Sequence, residues 1–220
     1  MEEKEIYWDI KDLYNYENFY KFGIFECVNF ARTYELVKNL SYNTQYLEYL
    51  YKTLSKKLHV TIQTETIKTY ILTGMSIIES ILYYAIKRNN LNKVIEFEEI
   101  NRFESNIKKV KNSHIKVETV ILKKLLIPIE KEMKLSSMLQ ITESKKLLGN
   151  DLDVYIRLNY LRKLRNKIHL HFFVENLDHD FNNFNQSQYD LMRTSLKVVL
   201  FSDMFIMPIE NRKQIFDFLL

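Results

Sequence analysis

The sequence predicts an all-α protein, and three observations favour that fold class. The chain has 220 residues, of which only three are glycine and two are proline, so it lacks the frequent turns that a β-sandwich or a β-barrel requires. Hydrophobic residues make up 46% of the chain, which is enough for the core of one sizeable domain. Apolar residues also recur at helical spacing along most of the chain. We therefore expect helices throughout.

The helical periodicity defines the individual elements. It predicts helices over 6–22, 25–40, 44–58, 61–88, 97–111, 117–134, 153–170 and 188–205. Residues 39–43 are expected to form the turn between the second and third of these. The helix at 61–88 has the widest apolar stripe, which is typical of a helix surrounded by others.

Glycine and proline refine the helix boundaries. Gly74 is expected to let a neighbouring helix approach closely, and Pro128 is expected to kink or split the helix at 117–134. Residues 149–151, Gly-Asn-Asp, form a stop-and-cap signal before the helix at 153–170. A short terminal helix is expected after Pro208.

The composition limits the classes of protein to which the chain can belong and its expected location in the cell. The net charge is +4, but 32 basic residues are interleaved with 28 acidic ones, which permits contact with a polyanion without establishing it. Cys27 is the one cysteine, so neither an intrachain disulfide nor a cysteine zinc site can form. The acidic start of the chain lacks the order of a signal peptide. Because the apolar stretch 70–86 is short for a membrane span and contains Glu79, we expect a cytoplasmic protein without a membrane partner.

The segment 157–171 combines several cations with two histidines. Cleavage of a phosphodiester without a metal needs a proton-transfer group near neutral pH, which histidine supplies, and a fixed cation, which arginine supplies. On an ideal helix Arg165 and His169 lie about 40° apart, whereas Arg165 and His171 lie about 120° apart. If the helix ends near His169, His171 can turn back toward Arg165. Spacing alone leaves both histidines open.

This segment resembles the HEPN superfamily. The hallmark of that family is an arginine, then a polar residue that is often asparagine, then a histidine after four to six intervening residues. Here Asn166 follows Arg165 directly, and His171 follows Arg165 after five intervening residues, a departure from the commonest spacing of four. His169 follows Arg165 after only three residues, but it stands six intervening residues after Arg162. The interpretation favours Arg165 with His171.

The resemblance implies a fold and an activity. The fold is an up-and-down helical bundle with a four-helix core, here over 61–220, with an N-terminal helical extension over 1–60 packed on it. The activity is that of a metal-independent endoribonuclease without a cofactor, in which the RNA 2′-hydroxyl attacks the adjacent phosphate and leaves a 2′,3′-cyclic phosphate. Such proteins act as toxins of toxin–antitoxin pairs or in phage defence. The implied partners are RNA, an antitoxin protein and a second copy joined through the motif helix.

The resemblance also implies a role for each site residue. His171, or His169 in its place, is the general base or acid, and Arg165 binds the scissile phosphate. Asn166 orients the histidine or contacts RNA. The family often has an acidic residue in an earlier apolar core helix, and Glu79 corresponds to it; its carboxylate could hold an arginine or a histidine in place.

Two other functions fit the same residues. One is a non-catalytic helical module that binds RNA or a protein partner, with Arg165 and His171 only capping a helix C-terminus and Glu79 only pairing with a neighbouring cation. The other is a metal-dependent phosphohydrolase that uses His169, His171, His179 and a nearby carboxylate.

Overall fold

The computed structural model describes residues 10–24, 30–168 and 178–220. Helices α1 (Leu13–Gly23), α2 (Thr33–Leu54) and α3 (Val60–Arg88) come first. Strands β1 (Val94–Glu104), β2 (Lys108–Val110), β3 (Ser113–Ile115) and β4 (Glu118–Glu130) follow. Helices α4 (Leu135–Ser144), α5 (Leu152–Arg165), α6 (Asp180–Asn183), α7 (Gln186–Leu200) and α8 (Ile209–Ile215) complete the chain, with 3-10 turns at Asn166–Ile168 and Asp217–Leu219.

The chain divides into two compact units. The helical unit comprises residues 1–91 and 134–220, and the hairpin unit comprises residues 92–133. Helices α1 and α2, from the predicted N-terminal extension at 1–60, lie in the same unit as α3.

The prediction of an all-α protein is wrong, because the hairpin unit is built from strands and the chain is mixed α and β. In this unit β1 pairs antiparallel with β4, and β2 pairs antiparallel with β3. The segments predicted as helices over 97–111 and 117–134 are therefore strands, and Pro128 lies in β4. Both segments are rich in β-branched and aromatic residues, which favour extended backbone. Lys111, with φ +54°, provides the reversal between β2 and β3.

Helix α2 runs without interruption through the turn predicted at 39–43, so that prediction is also wrong. The polar side chains there bond within the helix: Ser41 Oγ donates to the Val37 carbonyl at 2.7 Å, and Asn43 Nδ2 donates to the Asn39 carbonyl at 2.8 Å. Such local bonds let serine and asparagine remain inside a helix. Of the predicted helix at 25–40, residues 25–29 lie outside the described residues.

Several of the other sequence predictions are confirmed. Helix α3 matches the prediction of 61–88, and α7 and α8 match the last two. Asp151 caps α5, since its side chain accepts from the backbone N–H of Asp153. A Cβ added at Gly74 would lie 2.9 Å from Met192 Cε of α7, so the close approach expected at Gly74 is present. Helix α4 was not predicted.

Helix α3 forms the centre of the helical unit, where it packs against α2, α4, α5 and α7. Its buried side chains include Tyr70, Ile71, Met75, Ile78, Leu82 and Ile86. By length and composition α3 could cross a membrane, but 61% of its most apolar window is buried inside the protein. Its apolar surface thus supplies the core of the unit, and the cytoplasmic location stays a prediction.

A buried carboxylate ties α1 to α2. Glu48 Oε2 accepts from the Lys11 backbone N–H at 3.0 Å and from the Tyr16 hydroxyl at 2.7 Å. Glu48 Oε1 lies 3.3 Å from Lys52 Nζ, so the charge is balanced as well as hydrogen-bonded. Burial raises the pKa of Tyr16, and its hydrogen bond to Glu48 raises it further. The phenol therefore remains a donor at any physiological pH.

We expect Tyr16→Phe to destabilise the protein by about 1.5–3 kcal/mol, because it removes a hydrogen bond to a buried charged acceptor. Urea denaturation followed by circular dichroism measures the change. Tyr14→Phe is the matched control, since Tyr14 lies on the same helix and is 63% exposed. Equal stability of the two variants would show that the Tyr16 hydrogen bond contributes nothing to folding.

Candidate functional site

Helix α5 carries the motif arginine, and its apolar face fixes the direction of that side chain. Val154, Tyr155, Leu158, Leu161 and Leu164 are buried at spacings of three and four residues, which lie on one side of a helix. Arg162, Lys163 and Arg165 stand in the last turn, where cations suit the helix dipole. Arg165 is consequently held at the edge of the packed face, one residue beyond the last buried leucine.

Arg165 and Glu79 form an ion pair between α5 and α3. The distance between Arg165 Nη1 and Glu79 Oε2 is 2.6 Å, and the two side chains are 32% and 27% exposed. The central helix α3 thus presents a carboxylate at the level where α5 ends. Both groups are partly shielded from water, yet the guanidinium remains accessible from solvent.

Asn166 follows Arg165 at the start of the 3-10 turn. Its backbone N–H bonds to the carbonyl of Arg162 and so closes the last turn of α5. Its side chain is exposed. The structure thus brings Arg165 and Glu79 into contact, with Asn166 next to Arg165 in the chain. His169 and His171 lie outside the described residues, so both histidines stay open as candidates.

A second cluster beside the motif was missed by sequence reasoning. Lys167 Nζ donates to Asp178 Oδ1 at 2.8 Å and to Asn183 Oδ1 at 3.1 Å, and Asn183 Nδ2 donates to the same Asp178 oxygen at 2.6 Å. The Asp178 side chain is only 3% exposed. Lys167 precedes the segment 169–177 and Asp178 follows it, so this cluster holds the two flanks of that segment together. In the sequence, the sign of this cluster is the polar stretch after the motif that contains Asp178 and Asn183.

An open cavity of about 380 Å³ lies next to this cluster, between the start of α3 and the start of α7. Apolar and aromatic side chains form part of its wall, and four amide side chains and one threonine form the rest. The lining residues are Val60, Gln63, Thr64, Ile67, Phe181, Asn182, Phe184, Asn185 and Gln186. Phe184 is fully buried and Phe181 is 60% exposed. An aromatic surface beside amide donors and acceptors suits the stacking and hydrogen bonding of an unpaired nucleobase.

Lys68 of α3 contacts α6 beside this cavity. Its Nζ donates to Asp180 Oδ2 at 2.7 Å and lies 5.5 Å from the centroid of the Phe184 ring. Lys68 is itself buried, so the ion pair and the ring contact hold α6 against α3. Among the described residues, no three histidine, cysteine, aspartate or glutamate side chains are close enough together to hold a metal ion.

Comparison with known proteins adds no assignment. No family model matches the chain, and searches of curated proteins and of solved structures found no match.

We expect the Arg165–Glu79 pair to contribute little to stability, because a partly exposed ion pair is worth about 1 kcal/mol or less. A double-mutant cycle with Glu79→Gln, Arg165→Gln and the double variant, measured by urea denaturation, gives the coupling energy. A coupling above about 3 kcal/mol is the range of a buried pair that clamps the fold. Such a value would make the pair a structural clamp.

Proposed function

We propose that the chain is an endoribonuclease that cleaves RNA without a metal ion, by attack of a ribose 2′-hydroxyl on the adjacent phosphate. The observation that carries the proposal is the 2.6 Å ion pair between Arg165 and Glu79. It holds a permanent cation in a partly exposed position at the end of the helix that leads into His169 and His171. The HEPN resemblance of this segment supports the same activity.

Arg165 is the phosphate-binding group in this proposal. A guanidinium has five N–H donors in a planar fork, and Nη1 faces Glu79. The other donors can bind the non-bridging oxygens, on which negative charge increases as the 2′-oxygen attacks. Glu79 is a positioning residue: it orients the guanidinium before substrate arrives, so less freedom is lost on binding.

The histidine moves the protons. As base it removes the proton of the 2′-hydroxyl, the 2′-oxygen bonds to phosphorus, and the 5′-oxygen leaves with a proton supplied by an acid. The products are a 2′,3′-cyclic phosphate and a 5′-hydroxyl. We assign this role to His171, with His169 as the alternative, and Asn166 to orienting the histidine or contacting RNA. A homodimer through the motif helix, which the resemblance implies, supplies the second acid-base group from the partner copy.

The cavity beside Phe181 supports RNA as the substrate class. Asn183 binds Lys167, and its neighbours Asn182 and Phe184 line the cavity. Ile67, which lines the cavity, lies twelve residues before Glu79 on α3, about 18 Å along the helix, so a base a few nucleotides away from the scissile phosphate can enter the cavity while the phosphate lies at Arg165. The proposed biological role is that of a toxin or phage-defence effector, with an antitoxin protein as a further partner.

We expect the purified protein to cleave an end-labelled RNA in EDTA and to leave cyclic-phosphate ends. Arg165→Ala should lower the rate at least about 100-fold, the usual cost of removing a charge-stabilising donor, and Arg165→Lys should not restore it, because lysine lacks the fork. Glu79→Gln should lower the rate about tenfold, as loss of an orienting partner does. One of His169→Ala and His171→Ala should abolish cleavage. A single 2′-deoxy substitution at the cleaved nucleotide should block it.

Arg157→Ala is the matched control for these variants. Arg157 lies on the same helix and forms its own carboxylate contact, with Nη2 3.6 Å from Asp151 Oδ2, so its loss should leave cleavage unchanged. Cleavage that survives Arg165→Ala overturns the proposal. Cleavage that stops in EDTA favours the metal-dependent phosphohydrolase, and RNA binding without cleavage favours the non-catalytic module.

We expect Phe181→Ala to lower kcat/KM for RNA cleavage about tenfold, since stacking of a base on an aromatic ring is worth about 1–3 kcal/mol. Phe22→Ala is the control, because Phe22 is 58% exposed on α1. Equal effects of the two substitutions would remove the cavity from the RNA-binding surface.

A further inference from the structure

The hairpin unit exposes apolar side chains on both faces of its sheet. Every residue of β1 is exposed, and so is every residue of β4 except Leu125. Large apolar side chains among them include Phe97, Ile100, Phe103, Val120, Ile121 and Leu122. A sheet of only two strands is marginally stable in water, and three or more strands are normally needed. Among the described residues β1 and β4 pair with each other and with no third strand, so each has an outer edge at which a further strand could add.

The two outer edges of this hairpin differ in regularity. In β1, Glu96 and Ile100 are skipped in the pairing with β4, and such bulges twist an edge and prevent further pairing. In β4, residues 125–128 are skipped between the pairs of Ile129 and Lys124, but residues 118–124 form an uninterrupted run in the pairing with β1. A regular unpaired edge of this kind is a template for another strand. The free edge of β4 is thus the edge that can pair with a strand from another chain.

The sequence of that edge is complementary to itself. Residues 118–124 read Glu-Thr-Val-Ile-Leu-Lys-Lys. If two copies pair antiparallel about Ile121, each Ile121 faces the other, Val120 faces the partner's Leu122, and Glu118 faces the partner's Lys124. Opposite charges and apolar side chains placed directly across a strand pair both stabilise a sheet. A twofold axis perpendicular to the sheet produces all of these contacts at once.

The charges of the hairpin agree with this register. Glu118 already pairs with two cations of its own chain, with 2.9 Å between Arg102 Nη1 and Glu118 Oε2 and 3.2 Å between Lys116 Nζ and Glu118 Oε1, and the partner's Lys124 would add a third cation to this exposed carboxylate. Among the described residues Lys124 makes no ion pair, whereas its neighbour Lys123 lies 3.7 Å from Glu98. Lys124 is the cation that the partner's Glu118 would bind.

We propose that two copies of this chain associate through the free edges of β4, paired antiparallel about Ile121, to form a continuous four-stranded sheet. Val120 and Leu122 of both copies then form an apolar centre on one face. Glu99 and Arg102 flank it, since they stand opposite Leu122 and Val120 in β1. An apolar centre with a charged rim is the usual anatomy of a protein interface. This interface uses none of the residues assigned to RNA cleavage.

Cysteine cross-linking tests the register. In a Cys27→Ser background, Ile121→Cys should give a disulfide-linked dimer under mild oxidation, because residues facing each other across an antiparallel pair lie within reach of a disulfide. Thr119→Cys is the matched control on the same strand and face. Under the proposed register the two Thr119 positions are four residues apart along the strands, about 13 Å, and should not cross-link. Non-reducing electrophoresis reads out both variants.

A charge reversal tests the pairing of Glu118 with Lys124. Added to the Ile121→Cys variant, Lys124→Glu should lower the yield of cross-linked dimer about tenfold or more, because it places like charges across the strands twice in each dimer. Non-reducing electrophoresis measures that yield separately from any dimer formed through the motif helix, and sedimentation velocity gives the oligomeric state. Lys108→Glu makes the same charge change in β2 and should leave the yield unaltered. A monomer at tens of micromolar, a dimer in which Ile121→Cys does not cross-link, or equal cross-linking of the two cysteine variants overturns the proposal. A failure of RNA cleavage leaves it untouched, since the readout is association alone.

Discussion

The helical unit is arranged around α3, an apolar helix that other helices must cover. Helix α3 has 29 residues and carries buried side chains on most of its circumference, so no single neighbour can shield it from water. Helix α2 comes from before it in sequence, and α4, α5 and α7 come from after the hairpin unit. The helices on the two sides of the strand insertion are therefore brought into one unit by a shared apolar partner. Burial of this surface is the dominant favourable contribution to such a fold.

The position of the candidate site follows from that arrangement. Glu79 lies in the middle of α3, where a carboxylate is costly to bury without a partner. The last residue of α5 supplies the partner, and the packed face of α5 leaves Arg165 at the edge where both groups retain access to solvent. In a more deeply buried pair, the attraction between the two charges would be offset by the cost of removing both from water. In a fully exposed pair, water would screen that attraction. The intermediate position keeps the cation oriented and reachable.

Sequence reasoning identified the parts of the chain in which local pattern and tertiary packing agree. The apolar stripe of α3 is long enough to be unambiguous, and the pairing of Glu79 with a cation of a neighbouring helix follows from the cost of an unpaired charge. The hairpin unit was misassigned because its apolar residues are exposed and mixed with charges on both faces, so neither the period of a helix nor that of a half-buried strand is clear. Residues 39–43 were misassigned for another reason: their polar side chains bond within α2, an outcome that composition does not distinguish from a turn. The cluster of Lys167, Asp178 and Asn183 depends on chain reversal, which spacing does not encode.

The two proposals place different physical demands on the two units, since the proposed RNA cleavage depends on the helical unit and the proposed strand pairing depends on the hairpin unit. Arg165 needs a rigid framework, since the benefit of a preorganised cation is lost if its partner helix moves, and the helical unit supplies that framework. The proposed pairing of β4 depends instead on a strand edge whose backbone N–H and C=O groups have no partner within the sheet. Unpaired strand edges invite aggregation unless their pairing is restricted. In β1 the bulges provide that restriction, and in β4 the charges at 118 and 124 do so by favouring one antiparallel register with one partner. In the proposed pairing each copy uses its one regular edge, so the sheet ends at four strands, whereas two regular edges in each copy would allow the sheet to grow without limit.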